Sequence, residues 1–311
     1  MPESASKTQS RSRAVHPPSK ASESHILVAS AFDLARSLSI PNILVLADLL
    51  TDRRLVERVR EEETVIWLTH AGGRNGYPEI PKDDPCIALP PTALDRLDQV
   101  KLGLTLAVLR RHVKVDSSVV CLTGVAGSKR LDMLVIINPS RDFAWFRQHK
   151  ISNVDEKLMS REFVRLLEIA VRLSAEGREG KPVGAVFVLG DVEKMDRYTS
   201  QLIFNPCKGH PQAARNIHNP EFLETLRELA ALDGAFLVDK RGVVVTAGAY
   251  LDAPVSKNVR VRRGLGARHV AAAAMTAMTD SLALVISESS GDITVFAKGA
   301  ALLELEKPPA R

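Results

Sequence analysis

Cysteine is scarce, with only Cys86, Cys121 and Cys207 in 311 residues, far apart and with no CxxC pair among them. That spacing excludes a zinc knuckle and a disulfide framework, and it suits a reducing compartment. No apolar run reaches the roughly 18 to 20 residues a membrane span needs, and the N-terminus lacks the apolar core of a signal peptide. The chain is therefore expected to be cytoplasmic, with no membrane partner. An excess of one charge is also lacking: 42 Lys and Arg face 37 Asp and Glu, a net charge of +5. So small a surplus suits a polyanionic small molecule as well as nucleic acid, and selects neither. There is no internal repeat. "GVAGSKR", residues 124–130, lacks the spacing of a Walker phosphate loop and reads as a loop after a strand, while "GLGARH" lacks the third glycine of a dinucleotide fingerprint.

Apolar residues at 45% and charged residues at 25% fit a globular protein, and the length suits roughly two domains of about 100 to 200 residues. Residues 1–24, rich in Ser, Lys, Arg and Pro, have little to bury and are expected to form a disordered tail. From His25 the pattern alternates. "ILVASAFDLARSLS" has helical spacing, "NILVLAD" is a short apolar run, "DRRLVERVREEE" is an amphipathic helix, and "TVIWLTH" is a strand. A long helix, "TALDRLDQVKLGLTLAVLRRHV", and the strands "SSVVCLTGV" and "LDMLVIINP" complete an α/β domain over 25–150 with a mainly parallel sheet. Residues 151–311 read as a second domain. It opens with the helix "DEKLMSREFVRLLEIAVRLSAEG", followed by the strand "VGAVFVLGD" and a helix started by Asn219 and Pro220. A hairpin, "AFLVDKRGVVVTAG", turns at Lys240 to Gly242, and two more strands, "SLALVIS" and "ITVFAKG", are joined by "ESSGD". Strands outnumber helices here, so a mixed, largely antiparallel sheet flanked by helices is expected.

Three short stretches of this second domain carry candidate chemistry. Asp233 and Gly234 precede an apolar strand, where a carboxylate stands beside an unobstructed backbone, although Asp-Gly is also an ordinary turn dipeptide. Gly264 and Gly266 precede Arg268, His269 and an alanine-rich helix. Helix N-terminal amides bind anions, glycines let phosphate approach the backbone, and the two side chains add a fork of donors and a proton donor or metal ligand. Just upstream, Lys257, Arg260, Arg262 and Arg263 either raise the local potential or form the solvated face of an edge strand. Ser287 and Glu288 end another strand, where a hydroxyl suits a phosphate and a carboxylate a divalent cation; alone they are a polar hairpin.

Taken in order, "GAVFVLGD", "LDGAFLVDKRGVVVTAGAYLDAP", "GLGARHVAAAAMT" and "TDSLALVISESSGDITVFAKG" resemble the diadenylate cyclase domain of the DNA-integrity-scanning protein and its relatives, over about Val183 to Gly299. Residues 25–150 resemble the C-terminal domain of pyruvate kinase, which precedes the cyclase module in a two-domain branch, through βαβ order, "VKLGLTLAV" and "CLTGVAGSKRLDMLVIINP". The resemblance implies condensation of two ATP into cyclic di-AMP and two pyrophosphates by a face-to-face pair of subunits. Mg²⁺ or Mn²⁺ is then expected as a Lewis acid on the α-phosphate. It implies catalytic roles for Asp233, Arg268 and His269, and metal ligation by Asp233, His269 and Glu288. ATP would be bound by Gly234, Ala235, Leu251, Gly264, Gly266, Ala267, Arg268 and Ser287, with Leu251 at the adenine. Where many relatives have Gly-Thr-Arg-His-Arg, this chain has Ala267 and Val270 flanking Arg-His, and Ser289 stands where a second acid is frequent. The competing expectation is a catalytically silent sensor of ATP or cyclic di-AMP. A DNA-binding reading lacks any helix-hairpin-helix-like segment after the cyclase domain.

Overall fold

The computed structural model describes residues 20–61, 65–70, 80–89, 94–143, 146, 160–177, 183–262 and 264–307. The expected tail over 1–24 lies mostly outside them. Its last five residues instead belong to the first helix, α1 (Lys20–Ser37). Ser24 is buried and its Oγ accepts from the Leu131 amide at 3.0 Å, while Glu23 pairs with Arg130 at 2.9 Å. Polar residues that composition assigns to solvent are thus held by partners more than a hundred positions away.

The N-terminal sheet follows the expected alternation. β1 (Asn42–Leu46) leads through a 3₁₀ turn to α2 (Arg53–Arg60), capped by Asp52, and then to β2 (Val65–Thr69). β3 (Cys86–Ala88), α3 (Arg96–Leu109), β4 (Val119–Thr123), β5 (Met133–Ile137) and the short α4 (Pro139–Asp142) complete it. The strand order is β3-β2-β1-β4-β5, parallel except for β5, which returns antiparallel beside β4. β1, β2 and β4 are almost wholly buried, as strands covered on both faces must be.

The second sheet has the order β12-β11-β10-β6-β8-β9-β7. Its elements are α5 (Arg161–Glu176), β6 (Ala185–Gly190), α6 (Val192–Asp196), β7 (Thr199–Gln201), α7 (Pro220–Leu229), β8 (Ala235–Asp239), β9 (Val244–Leu251), α8 (Ala267–Thr279), β10 (Leu282–Ile286), β11 (Ile293–Ala297) and β12 (Ala300–Leu305). Only β6 and β8 run parallel; every other pairing is antiparallel. Alternate residues of the central strands face opposite layers. Phe187 and Phe236, stacked at 4.9 Å, belong to the core on the side of α5, and Val186, Val188 and Leu237 pack with Ala272, Ala273 and Met275 of α8. The alanines let α8 lie close to the sheet. One buried cluster continues from the first sheet into the second, and the Glu306 amide just beyond β12 donates to buried Asp98 of α3 at 2.8 Å. No helix among the described residues is long and apolar enough to cross a membrane.

Candidate active site

Sheet register explains why three separated stretches meet. β10 and β8 flank β6, with Ala185 opposite Ile286 and Val186 opposite Ala235. The start of β6, the start of β8 and the end of β10 therefore lie at one end of the sheet. Gly184, Asp233 with Gly234, and Ser287 with Glu288 stand side by side there, and the first turn of α8 reaches the same end.

Arg268, in that first turn, joins the stretches. Its Nη2 donates to Asp233 Oδ1 at 2.7 Å and its Nη1 to Glu288 Oε2 at 2.5 Å. The guanidinium is one-third exposed, whereas the carboxylates are 85% and 68% exposed. The hydrogen bond to Glu288, then its charge and that of Asp233, raise the arginine pKa further. One cation between two solvent-facing carboxylates leaves the cluster with one net negative charge.

The glycines act in different ways. A Cβ on Gly184 would lie 2.7 Å from Glu288 Cβ and 2.8 Å from Arg268 Nη1, so this residue makes room for the ion pair. Gly234, at φ +109°, would press a Cβ to 2.6 Å from the Gly248 backbone, so it allows the close approach of β8 and β9. Gly266 is extended, with φ −71° and ψ 173°, and a Cβ there would meet open space. It caps α8 without any side-chain hydrogen bond, leaving first-turn amides for an anion. Gly264 has φ +96°, which glycine alone adopts without strain, and it lies off the cleft.

The cleft has a volume of about 740 Å³. Asp233, Gly234, Ala235, Leu251, Gly266, Ala267, Arg268, His269, Ser287 and Glu288 all line it, together with Leu202, Tyr250 and Ser289. Ser287 Oγ lies 3.1 Å from Ser289 Oγ and accepts from the Ser290 amide at 3.3 Å, so both hydroxyls belong to the turn that follows β10. The His269 ring is buried and meets Phe296 edge-on at 6.1 Å; desolvation lowers its pKa, and Glu304 opposes that only in part. Among the described residues no group of three His, Cys, Asp or Glu side chains is placed to hold a metal. Arg260 and Arg262 line a different cleft, and Arg263 lies outside the described residues.

Gly184 went unnoticed in sequence because its role appears only when Arg268 and Glu288 are seen above it. Its one signal was a glycine at the mouth of a buried strand, a place where another chain segment often comes close. Tyr250 sat unremarked beside Leu251.

An uncapped helix end, a guanidinium and two exposed carboxylates around one partly apolar cleft form a polar site of a kind that suits an anionic small molecule. Residues 172–301 match the family described as DisA bacterial checkpoint controller nucleotide-binding. A diadenylate cyclase of Haloferax volcanii is 32% identical over 212 residues, covering 67% of this chain and 75% of that protein. One of Methanocaldococcus jannaschii is 29% identical over 208 residues, covering 67% of this chain and 66% of that protein. The cyclic di-AMP synthase CdaA of Bacillus subtilis is 36% identical over 67 residues, 22% of this chain and 23% of that one. The chain belongs to the diadenylate cyclase family and is a nucleotidyltransferase of that kind.

Proposed function

We propose that this protein condenses two ATP molecules into cyclic di-AMP and two pyrophosphates, with two copies apposed so that each ribose 3′-hydroxyl attacks the other nucleotide's α-phosphate. The observation that carries the reading is the Asp233–Arg268–Glu288 cluster at the open start of α8. Arg268 is already oriented across the cleft, and turning its fork from carboxylates to phosphate oxygens supplies charge-assisted bonds where negative charge develops. The amides of Ala267 and Arg268 add an anion site that needs no side chain. Leu251 and Tyr250 form an apolar wall for a flat base, and about 740 Å³ falls in the usual range for a small-molecule site.

Asp233 and Glu288 fit a divalent cation. Both are exposed hard-oxygen donors, and Mg²⁺ is commonly held by one or two carboxylates plus substrate phosphates, which is compatible with the lack of a three-residue cluster among the described residues. Mg²⁺ or Mn²⁺ bound there would supply Lewis-acid polarisation of the α-phosphate. Asp233 stands where it can orient the attacking hydroxyl. His269, neutral and packed on Phe296, supports the turn that carries Arg268 and is not one of the ligands we assign. We assign residues 151–311 to the cyclase domain and 25–150 to a pyruvate-kinase-C-terminal-like domain, and place the protein in the cytoplasm.

Incubation with ATP and Mn²⁺, with chromatography of the products, tests this. One cyclic di-AMP per two pyrophosphates is expected, and Asp233→Asn should abolish it while ATP still binds. ATP binding without pyrophosphate release by the unaltered protein would refute the cyclase reading and favour a silent sensor.

A further inference from the structure

Ser287 and Glu288 enter the cleft on a turn that Asp292 closes. The Ser287 amide donates to the Asp292 carbonyl and the Gly291 amide to the Ser287 carbonyl, each at 2.8 Å. Asp292 Oδ2 accepts from Ser290 Oγ at 2.7 Å, while its Oδ1 accepts from the Lys307 amide at 3.0 Å. From α5, the buried Ser174 hydroxyl donates to the Gly291 carbonyl. A Cβ on Gly291, at φ +80°, would lie 2.7 Å from Lys307 Cδ, so the segment after β12 passes directly against the turn. The amide just before, that of Glu306, is the one that donates to buried Asp98 of α3 at 2.8 Å. Two consecutive amides are thus held by two carboxylates, one under the nucleotide cleft and one in the N-terminal domain. Neighbouring Cα atoms stay about 3.8 Å apart, so this link cannot stretch. A shift of α3 must carry Asp292 with it or break a hydrogen bond.

We propose that Glu306 and Lys307 form a strap through which the N-terminal domain positions Ser287 and Glu288, with Asp98 and Asp292 as positioning residues. Because Glu288 also holds Arg268, a pull on the turn reaches the cation of the cleft. What the turn serves rests on the cyclase reading; the mechanical link does not.

Amide exchange over residues 287–291, followed on the full chain without nucleotide, tests the link. Asp292→Ala should speed it by about tenfold. Asp98→Ala and Glu306→Pro remove the acceptor and the donor of one hydrogen bond, and each should speed it by about threefold although Asp98 lies outside the cyclase domain. Glu306→Pro leaves Asp98 paired with Lys101 at 2.9 Å, so it reads the strap even where the buried substitution unfolds α3. Glu306→Pro should add nothing in the Asp292→Ala background, where the strap is already cut, and keep its whole effect in the Ser174→Ala background, whose lost bond bypasses the strap. Unchanged exchange in Glu306→Pro, or an effect that persists in full beside Asp292→Ala, overturns the proposal. In the cyclase assay Glu306→Pro should lower kcat by about threefold with little change in KM for ATP, and an unchanged kcat overturns the positioning role. Absence of turnover by the unaltered protein counts against the cyclase reading alone.

Discussion

Arg268 is where the residue scale is decided, because a planar fork can hold two carboxylates with two different nitrogens and a lysine ammonium cannot match that geometry. Arg268→Lys should leave the fold intact and weaken ATP binding, read as a rise in KM with little shift in unfolding temperature. Gly184 tests the same cluster from below. Its Cβ would sit under 3 Å from both Glu288 and Arg268. Overpacking of this kind typically costs about 1–3 kcal/mol; the Arg268 guanidinium can swing away at little cost, whereas Glu288 is met at its Cβ and Cα and must shift with its backbone. Gly184→Ala is thus expected to cut kcat/KM by about tenfold, the equivalent of about 1.4 kcal/mol in the barrier, and to lower the unfolding temperature by only a few degrees. Unchanged kinetics would remove Gly184 from the site.

At the scale of the element, α8 serves substrate and stability in opposite ways. Its N-terminus lacks a side-chain cap, and Gly266 already has the extended backbone and open space that a capping serine needs. Gly266→Ser should stabilise the helix by only about a few tenths of a kcal/mol and weaken ATP binding, because the new hydroxyl occupies amides meant for phosphate. Calorimetry and nucleotide titration on one sample check both signs. Gly264→Ala, at φ +96°, should only destabilise. Much of this element was legible: glycines, Arg268 and His269 before an alanine run announced a helix start, and the helix begins at Ala267. The sequence could not say which way the basic stretch upstream would face, since that depends on Arg260 bridging to the strand that begins at Ala300. Nor did periodicity disclose β12, because the hairpin before it turns on Lys298 and Gly299, both at positive φ, without the Asn-Gly or Asp-Gly that marks such turns.

For the whole molecule, alternation of apolar runs gave the parallel first sheet and the mixed second one, yet not the strand order. Local pattern does not determine that β6 pairs with β8 across α6, β7 and α7, and it is this pairing that gathers Gly184, Asp233 and Glu288 at one sheet end. The same burial that closes the two layers sets the acid response. Desolvation lowers the pKa of His112, His218 and His269 below the ordinary histidine value of 6.5, with positive neighbours adding to the effect at the first two. Above 6.5 these rings are neutral in both the folded and the unfolded chain, and stability does not depend on them. As pH falls through 6.5 the unfolded chain takes up protons that the native rings refuse, so stability drops until the lower native pKa values are passed. Asp98, raised by its own burial, acts with the opposite sign but only nearer the carboxylate range, and Asp132, held down by Arg96, costs stability only on further acidification. The unfolding temperature should therefore fall between pH 7.5 and 5.5, and His112→Gln, outside the nucleotide cleft, should make that fall shallower. A midpoint that stays level or rises over this interval would show that the three rings take up protons as readily in the folded protein as in the unfolded chain.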